Sequence, residues 1–198
     1  MPDRPPAASA APAPPAPPAP PRFRPAGPGD AAGLLALKKD LDRETSFMLL
    51  EPGERSEDIA DVAAYLSSMA GTANSVVIVA ETAGRLAGYA EARGGRFRRN
   101  RITAQVVIGV LSAASGQGIG AGLLRELELW APAHGIRRLE LTVMAHNHRA
   151  RLLYEHMGFA VEGRRRECLL VDGHLVDELY MAKLLPPAGV TGRPPKGS

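Results

Sequence analysis

A glycine-rich stretch directly after an apolar run is the part of the chain whose residue types most clearly suit chemistry. Residues 106–111 read Val-Val-Ile-Gly-Val-Leu, and glycine then occupies alternate positions from Gly116 to Gly122. Because glycine has no side chain, a phosphate group can approach the backbone N–H groups of such a loop closely. Where a helix begins at the loop, its dipole also favours negative charge there. The pattern predicts a strand, a phosphate-binding loop and a helix, in that order.

The helix that follows the loop is indicated by the spacing of its apolar residues. Arg125, Glu126 and Glu128 fall on one face, and the opposite face is apolar, with Ile119, Leu123, Leu124, Leu127 and Trp130. We predict a helix from about Gln117 to His134, closed by Gly135. It packs one face on a core and presents its N-terminus to the loop.

The dinucleotide-binding pattern G-x-G-x-x-G/A is one interpretation of this loop. Gly116, Gly118 and Ala121 match it, and Glu140 lies about 20 residues further on. In that class the acidic residue follows the second strand, whereas Glu140 lies at the start of its predicted strand. A doubly wound sheet also needs several further strand–helix units, and the chain soon ends. The context therefore argues against this interpretation.

A second motif supports a different family. The order Asn-x-x-Ala-x-x-Leu-Tyr-Glu-x-x-Gly-Phe is matched without a gap by Asn147, Ala150, Leu153, Tyr154, Glu155, Gly158 and Phe159. Together with the loop Ser115-Gly-Gln-Gly-Ile-Gly120, this block resembles the GNAT family of acyl-CoA-dependent N-acetyltransferases. Ser115 departs from that family, which has a basic or amide residue at this position. The resemblance spans about Arg22 to Leu185.

The remaining patterns predict a single α+β domain over residues 22–185. The expected architecture is GNAT-like, with a mixed, largely antiparallel central sheet flanked by helices. Helices are predicted from Gly29-Asp30 to about Leu41 and from Ser56, as a cap, to about Ala70 with Ile59 facing inward. The predicted strands are Val76–Ala80, Arg85–Arg93, Ile102–Val110, Leu139–Val143, Phe159–Arg166 and Leu175–Lys183, with a tight turn at Asp172-Gly173.

Amino-acid composition indicates the character of the two ends of the chain and the compartment that suits the protein. Residues 1–21 are almost entirely Pro and Ala and are predicted to form a disordered arm, and residues 186–198 a flexible tail. The arm lacks the charged and apolar regions of a secretory signal, and no apolar stretch approaches the length of a membrane span. The single cysteine, Cys168, suits a reducing compartment. We expect a cytoplasmic protein that does not bind membranes.

The resemblance implies a site for acetyl-CoA as co-substrate. Pantetheine is expected along Ile108, Gly109, Val110 and Leu111, with the Val110 N–H as donor to the thioester oxygen. The pyrophosphate is expected on Gly116, Gln117, Gly118, Ile119, Gly120 and Ala121. Asn147 is expected to hydrogen-bond the cofactor, a role compatible with capping a helix. Tyr154 is the candidate general acid toward the CoA thiolate, since a tyrosine with a pKa near ~10 is protonated at neutral pH.

The general base is the part of the site that the sequence leaves open. Relatives carry a glutamate on the strand before the loop, but the corresponding residue here is Gln105, which cannot accept a proton. Glu91, Glu54 and His146 are the candidates. Phe47, Glu51 and Glu54 are predicted substrate contacts, with a packed loop bearing solvated carboxylates as the alternative.

Several functional alternatives stay open at this point. The acceptor amine could be a polyamine or other small cation, an amino-acid-like molecule, or a protein N-terminus or lysine. A non-catalytic CoA-binding regulatory module is favoured by Ser115 and Gln105, and opposed by the joint presence of Asn147 and Tyr154. Nucleic-acid binding is not expected, because the arginine clusters at 93–101 and 164–166 accompany no recognition motif and look like solvated hairpin ends. The histidines lack metal-ligand spacing, so no metal is predicted, and the resemblance makes a homodimer possible.

Overall fold

The computed structural model describes residues 20–186, so the Pro/Ala-rich arm and the tail predicted from the sequence lie almost wholly outside the described residues. Within these residues, seven strands form one sheet in the order β1-β2-β3-β4-β5-β7-β6, in which only β4 and β5 are parallel. The strands are β1 Arg22–Pro25, β2 Ser75–Thr82, β3 Arg85–Gly94, β4 Thr103–Val110, β5 Arg138–Met144, β6 Ala160–Val171 and β7 His174–Leu184. The helices are α1 Ala31–Glu44, α2 Ile59–Ala70, α3 Ile119–Ala133 and α4 His148–His156. The predicted fold class, an α+β domain with a mixed sheet, is confirmed.

The helices pack on the two faces of the sheet and create two hydrophobic cores. On one face, Leu34 and Leu41 of α1 and Leu66 of α2 cover β2 and β3. On the other face, α3 and α4 cover the sheet, with Leu123 and Leu127 among the fully buried residues. Because both faces of β2 and β3 are covered, consecutive residues of these strands are buried, at positions 75–80 and 87–92, rather than alternate ones.

The cover on the first face is incomplete, and this matters for the site. The helices α1 and α2 pack on β2, β3 and the edge of β4. Polar or exposed residues lie at alternate positions on the same face beyond this cover, for example Gln105 and Val107 of β4 and Glu140 of β5. The chain thus leaves a stretch of sheet open beside the strands that carry the predicted cofactor site.

Two helix starts differ from the prediction. The cap of α2 is Asp58, whose carboxylate accepts a hydrogen bond from the Ala60 N–H, while the Ser56 hydroxyl donates to Asp61. Ile59, predicted to face inward, is 51% exposed because it is the first residue of the helix. Helix α3 begins at Ile119 rather than near Gln117, since Gly118 has a left-handed conformation that the helix cannot include.

The hairpin ends are also informative. Asp172 and Gly173 both have positive φ, as a two-residue hairpin turn of type I′ requires, so the predicted turn is confirmed. The second arginine cluster does not lie at a hairpin end. Arg164 and Arg165 belong to the body of β6 and pair with Asp177 and Glu178 of β7.

None of the helices within residues 20–186 has both the length and the apolar character needed to cross a bilayer.

Candidate active site

The centre of the candidate site is a split between two parallel strands. β4 and β5 pair only where Thr103, Ala104 and Gln105 face Arg138, Leu139 and Glu140. From Val106 onward β4 continues in register with β3, while β5 continues in register with β7. The two strands therefore diverge toward their carboxyl ends, and the β5-facing edge of β4 loses its strand partner.

The orientation of the backbone groups at this split follows from the ladder between β3 and β4. The Leu111 N–H donates to the Ala87 carbonyl at 3.0 Å, on the β3 side. Successive residues of an antiparallel strand direct their N–H groups to opposite edges. Val110, and by the same alternation Ile108, therefore direct their N–H groups into the split. The predicted donor, Val110, is thus placed on the open edge of β4.

The glycine loop lies where β4 ends. Gly116 and Gly118 both have φ of +78°, a conformation that strains any other residue, and a Cβ atom at either would meet no atom within 4 Å. Open space beside both glycines is what an approaching phosphate needs. The first hydrogen bond within α3 runs from the Gly122 N–H to the Gly118 carbonyl at 2.9 Å. The N–H groups of Ile119, Gly120 and Ala121 precede it and have no acceptor inside the helix, so the geometry fits an anion.

Side chains within and before the loop brace its backbone. The Ser115 hydroxyl donates to the Leu111 carbonyl at 3.3 Å, and the Gln117 amide donates to the Ala113 carbonyl at 3.2 Å. Glu44, the last residue of α1, accepts hydrogen bonds from both the N–H and the hydroxyl of Ser112, at 2.7 and 2.8 Å. The end of β4 is therefore tied to the start of the loop that follows α1.

Helix α4 brings the second motif to the same place. A Cβ atom on Gly120 would lie 2.9 Å from Leu153 Cδ2 and 4.0 Å from Val110 Cγ2. The start of α3, the end of β4 and the helix that carries Tyr154 therefore converge. The Tyr154 ring is buried against Phe159, with 6.0 Å between ring centroids. Burial raises the pKa of the Tyr154 hydroxyl above its ordinary value.

Asn147 acts as the N-cap of α4. Its side-chain oxygen accepts a hydrogen bond from the Ala150 N–H at 3.1 Å. The amide NH₂ group keeps its two donors. The structure thus realises the capping role that the sequence analysis named as compatible with cofactor binding.

The segment between α1 and α2 forms the wall of a cavity near the carboxyl end of β5. This cavity has a volume of about 370 Å³, and its lining includes Glu44 at the end of α1, Met48 and Glu51 of the segment, Met144 of β5 and Leu170 of β6. Phe47 lies against His146, with 5.3 Å between ring centroids. Of the predicted substrate contacts, Glu51 therefore lines the cavity, while Phe47 and His146 form one exposed aromatic pair beside the end of β5.

The carboxylates of Glu54 and Glu91 accept hydrogen bonds from other groups of the protein. The Glu54 carboxylate accepts a hydrogen bond from the Glu51 N–H at 2.9 Å, and this bond closes a tight turn. Glu91 is buried on the α1/α2 face of β3. It accepts hydrogen bonds from Tyr65 at 2.8 Å and Lys38 at 3.2 Å, and Arg93 lies 3.4 Å away. These partners favour a packing role for Glu91, joining α1, α2 and β3, over the predicted role as base.

A second cavity lies on the open face of the sheet at the point where β4 and β5 are still paired. It has a volume of about 270 Å³ and is lined by Gln105, Arg138, Glu140, Thr142, Glu162 and Tyr180, among others. In the sequence, Glu140 stands out only as a match to the dinucleotide-binding pattern. The alternation Leu139, Leu141, Val143 does put Glu140 on the face opposite α3, but its proximity to Gln105 depends on a strand pairing that the sequence does not reveal. Within residues 20–186, no group of three or more His, Cys, Asp or Glu side chains is arranged to hold a metal ion.

Comparisons with known proteins agree with this geometry. Residues 36–159 match the sequence pattern of the Acetyltransferase (GNAT) family. The chain is 26% identical over 166 residues to an L-methionine sulfoximine/L-methionine sulfone acetyltransferase of Pseudomonas aeruginosa, covering 83% of this chain and 95% of that protein. It is 34% identical over 90 residues to the L-amino acid N-acetyltransferase AaaT of Escherichia coli, covering 45% of this chain and 55% of that protein.

A solved structure supports the same assignment. The acetyltransferase of the GNAT family from Streptococcus pneumoniae superimposes with a TM-score of 0.81 at 29% sequence identity, covering 84% of this chain and 99% of that one. The family match extends from within α1 to the end of the second motif and includes the split, the glycine loop and Tyr154. The chain therefore belongs to the acetyltransferase (GNAT) family and is an acetyl-CoA-dependent N-acetyltransferase.

Proposed function

We propose that this enzyme transfers the acetyl group of acetyl-CoA to the amino group of an amino acid or a closely related small molecule. The observation that carries the proposal is the split between β4 and β5, with the glycine loop at its end and an open face of sheet beside it. The relatives from Pseudomonas aeruginosa and Escherichia coli, which are named for amino-acid acceptors, support this acceptor class. The cavity next to the split, of about 370 Å³, is of a size for a small molecule.

Each group of the site has a stated part in the proposed reaction. The N–H groups of Ile119, Gly120 and Ala121 hold the pyrophosphate, and the edge of β4 pairs with pantetheine. The acceptor nitrogen attacks the thioester carbon, and the N–H of Val110 donates to the carbonyl oxygen as negative charge develops on it. The carbon–sulfur bond breaks, and the Tyr154 hydroxyl gives its proton to the departing thiolate. Because burial disfavours the phenolate, Tyr154 is held in the protonated form that a general acid requires.

The electrostatics of the cavity wall suit an ammonium group on the acceptor. Asp42, Glu44, Glu51 and Asp172 are among the lining residues, against Arg43 as the basic one. Glu44 is already bonded to Ser112 and Asp42 to Arg55, which leaves Glu51 and Asp172 as the carboxylates available to a ligand. This arrangement also accommodates the carboxylate of an amino acid, which could approach Arg43.

The test is an acetyl-transfer assay that follows release of the CoA thiol. Acetyl-CoA is supplied with L-methionine sulfoximine, L-methionine sulfone, the common L-amino acids, spermidine and an unmodified peptide as separate acceptors. We expect turnover with one or more of the amino-acid compounds and the acetylated amine as product by mass spectrometry. Turnover with spermidine or the peptide alone would overturn the acceptor class, and the absence of acceptor-dependent thiol release throughout would overturn the proposal itself.

A further inference from the structure

The position at which the resemblance places a catalytic glutamate is occupied by Gln105. An amide cannot accept a proton, so removal of the ammonium proton requires another group. The Gln105 side chain is exposed on the open face of the sheet and lines the smaller cavity. Whatever replaces the missing carboxylate needs access to that cavity.

Glu140 is the direct neighbour of Gln105 in the sheet. The two residues face each other in the parallel register of β4 and β5. Neighbouring strands lie about 4.8 Å apart, and side chains of facing residues point to the same side of a sheet. Both side chains line the smaller cavity. A carboxylate at position 140 therefore serves nearly the same volume as a carboxylate at position 105.

The contacts of Glu140 leave it capable of accepting a proton. Its side chain is 41% exposed, and Arg138 Nε donates to its Oε2 atom at 2.9 Å. That bond orients the carboxylate, while the second oxygen keeps its capacity to accept from water.

The other carboxylate of this cavity is engaged more completely. Glu162 accepts from both terminal nitrogens of Arg138, and these hydrogen bonds hold the pKa of Glu162 below its usual range. Both oxygens of Glu162 are therefore occupied by Arg138, whereas within the described residues Glu140 accepts a hydrogen bond at Oε2 alone. Of the two carboxylates in the cavity, Glu140 is thus the one with an oxygen open to water.

The distances along β4 fit a relay through water. Gln105 and Val110, whose N–H is the proposed donor to the thioester oxygen, are five residues apart, which is about 16 Å of extended strand. The Glu140 side chain, two water molecules linked by hydrogen bonds of about 2.8 Å, and an acceptor nitrogen about 3 Å from the thioester carbon together span that separation. Thr142 lies between Glu140 and Met144 on the same face of β5; Thr142 lines the smaller cavity and Met144 lines the larger one.

We propose that Glu140 is the general base of this enzyme and takes the place of the carboxylate that Gln105 lacks. This inference rests on the proposed acetyl transfer. A chain of two water molecules passes one proton from the acceptor ammonium to Glu140, and the neutral amine attacks the thioester carbon. As the carbon–sulfur bond breaks, Tyr154 protonates the thiolate, and the nitrogen gives up its second proton to solvent as the amide forms. Glu140 then releases its proton to solvent and Tyr154 takes one back, so each turnover yields the amide, the free thiol and one proton.

The experiment compares wild type with Glu140→Gln and with Glu162→Gln, using acetyl-CoA and the best acceptor among L-methionine sulfoximine and the L-amino acids. At pH 7 we expect Glu140→Gln to lower kcat by about 100-fold or more, with the KM for acetyl-CoA unchanged. The deficit should shrink as the pH rises, because the free amine then forms without a base. Glu162→Gln is the matched control and should stay within about fivefold of wild type, as for an exposed ion pair.

A rescue variant distinguishes loss of a base from damage to the cavity. Gln105→Glu in the Glu140→Gln background returns a carboxylate to the neighbouring strand and should restore most of kcat and the wild-type pH profile. If Glu140→Gln fails to fold, Glu140→Asp supplies the comparison and should lower kcat while keeping the shape of the pH profile.

Several results would overturn the assignment. They are an unchanged kcat and pH profile in Glu140→Gln, an equal loss in Glu162→Gln, and the absence of rescue by Gln105→Glu. Lack of turnover by the wild type with every acceptor would instead refute the proposed function, so the two failures are distinguishable.

Discussion

The segment between α1 and α2, which lines the proposed acceptor cavity, is anchored at its far end by a buried ion pair, and removing the cation tests this anchor. Asp42 is in α1, and its side chain is only 2% exposed. Arg55 lies 13 residues further on and donates from Nε at 2.6 Å and from a terminal nitrogen at 2.8 Å. The bond to Asp42 raises the pKa of the Arg55 guanidinium above its ordinary value. The pair therefore ties the end of the segment back to α1.

Replacing Arg55 with alanine leaves a buried carboxylate without its partner. Loss of one member of a buried pair typically costs 3–5 kcal/mol, and because Arg55 is itself partly exposed, at 18%, we expect about 3 kcal/mol. For a domain of this size each kcal/mol lowers Tm by about 2–4 °C, so the expected fall is about 6–12 °C. The KM for the acceptor should rise, while the KM for acetyl-CoA should change little, because the glycine loop is not part of this contact.

The measurements are urea or thermal unfolding and acceptor-dependent thiol release. Arg43→Ala is the matched control for stability alone, because Arg43 also lines the proposed acceptor cavity. Arg43 forms an exposed pair with Asp40, with side chains 60% and 51% exposed. Its loss should cost at most about 0.5 kcal/mol. Adding Asp42→Ala to Arg55→Ala removes the orphaned carboxylate and should recover part of the stability. Equal losses of stability in Arg55→Ala and Arg43→Ala, or a double variant in which the stability losses of Arg55→Ala and Asp42→Ala simply add, would refute this account of the anchor.

Three further substitutions test the proposed acid, the glycine loop and the packing around β4. Tyr154→Phe removes the proposed acid and should lower kcat by about 10²–10⁴-fold. Because burial raises the pKa of the Tyr154 hydroxyl, the wild-type kcat should not fall through ionisation of this group below about pH 10. A kcat that Tyr154→Phe leaves unchanged across a pH series would exclude the role. In Gly118→Ala, the added Cβ atom meets no atom within 4 Å, but alanine is forced to a φ of +78°, at a cost of roughly 1–2 kcal/mol. Calorimetry should therefore show about tenfold weaker binding of acetyl-CoA. A Kd equal to that of wild type would contradict the loop geometry. Gly109→Ala places a Cβ atom 2.6 Å from Leu41 Cδ1 and 2.9 Å from Tyr89 Cε1. Urea unfolding should therefore report a free energy of unfolding lower by about 1–3 kcal/mol. A variant as stable as wild type would show that this core can accommodate the extra methyl group.

The features that could be predicted from the sequence are those whose signals are local. Alternate glycines after an apolar run indicate a phosphate loop, and a 3.6-residue period indicates the helix behind it. The limits of that helix were less accessible, because they depend on backbone dihedral angles. The left-handed conformation of Gly118 moves the start of α3 to Ile119. Similarly, Ser56 and Asp58 are both good capping residues, and only the path of the chain decides between them.

Features that depend on pairing between distant segments could not be predicted. The divergence of β4 and β5 after Gln105 gives Val110 its open edge, and no residue type marks where a parallel pairing stops. The hydrogen bonds that Glu91 accepts likewise come from distant residues, Lys38, 53 residues earlier, and Tyr65, 26 residues earlier. From the sequence, Glu91 was simply a carboxylate on a strand near the site. Its partners are long-range contacts that only the packed helices provide.

The contrast between Glu91 and Glu140 shows what decides the chemistry of a carboxylate in this fold. Both lie on strands next to β4, and both are on the same side of the sheet. Helices α1 and α2 cover the region of Glu91 and supply a lysine and a tyrosine that use its oxygens. These helices stop short of β5, so Glu140 meets solvent and a single guanidinium group at Oε2. Where the helical cover ends, a carboxylate remains accessible to water, and this is beside the split in which we propose that the thioester binds. The position proposed for the base therefore follows from the extent of helix packing more than from which strand carries the glutamate.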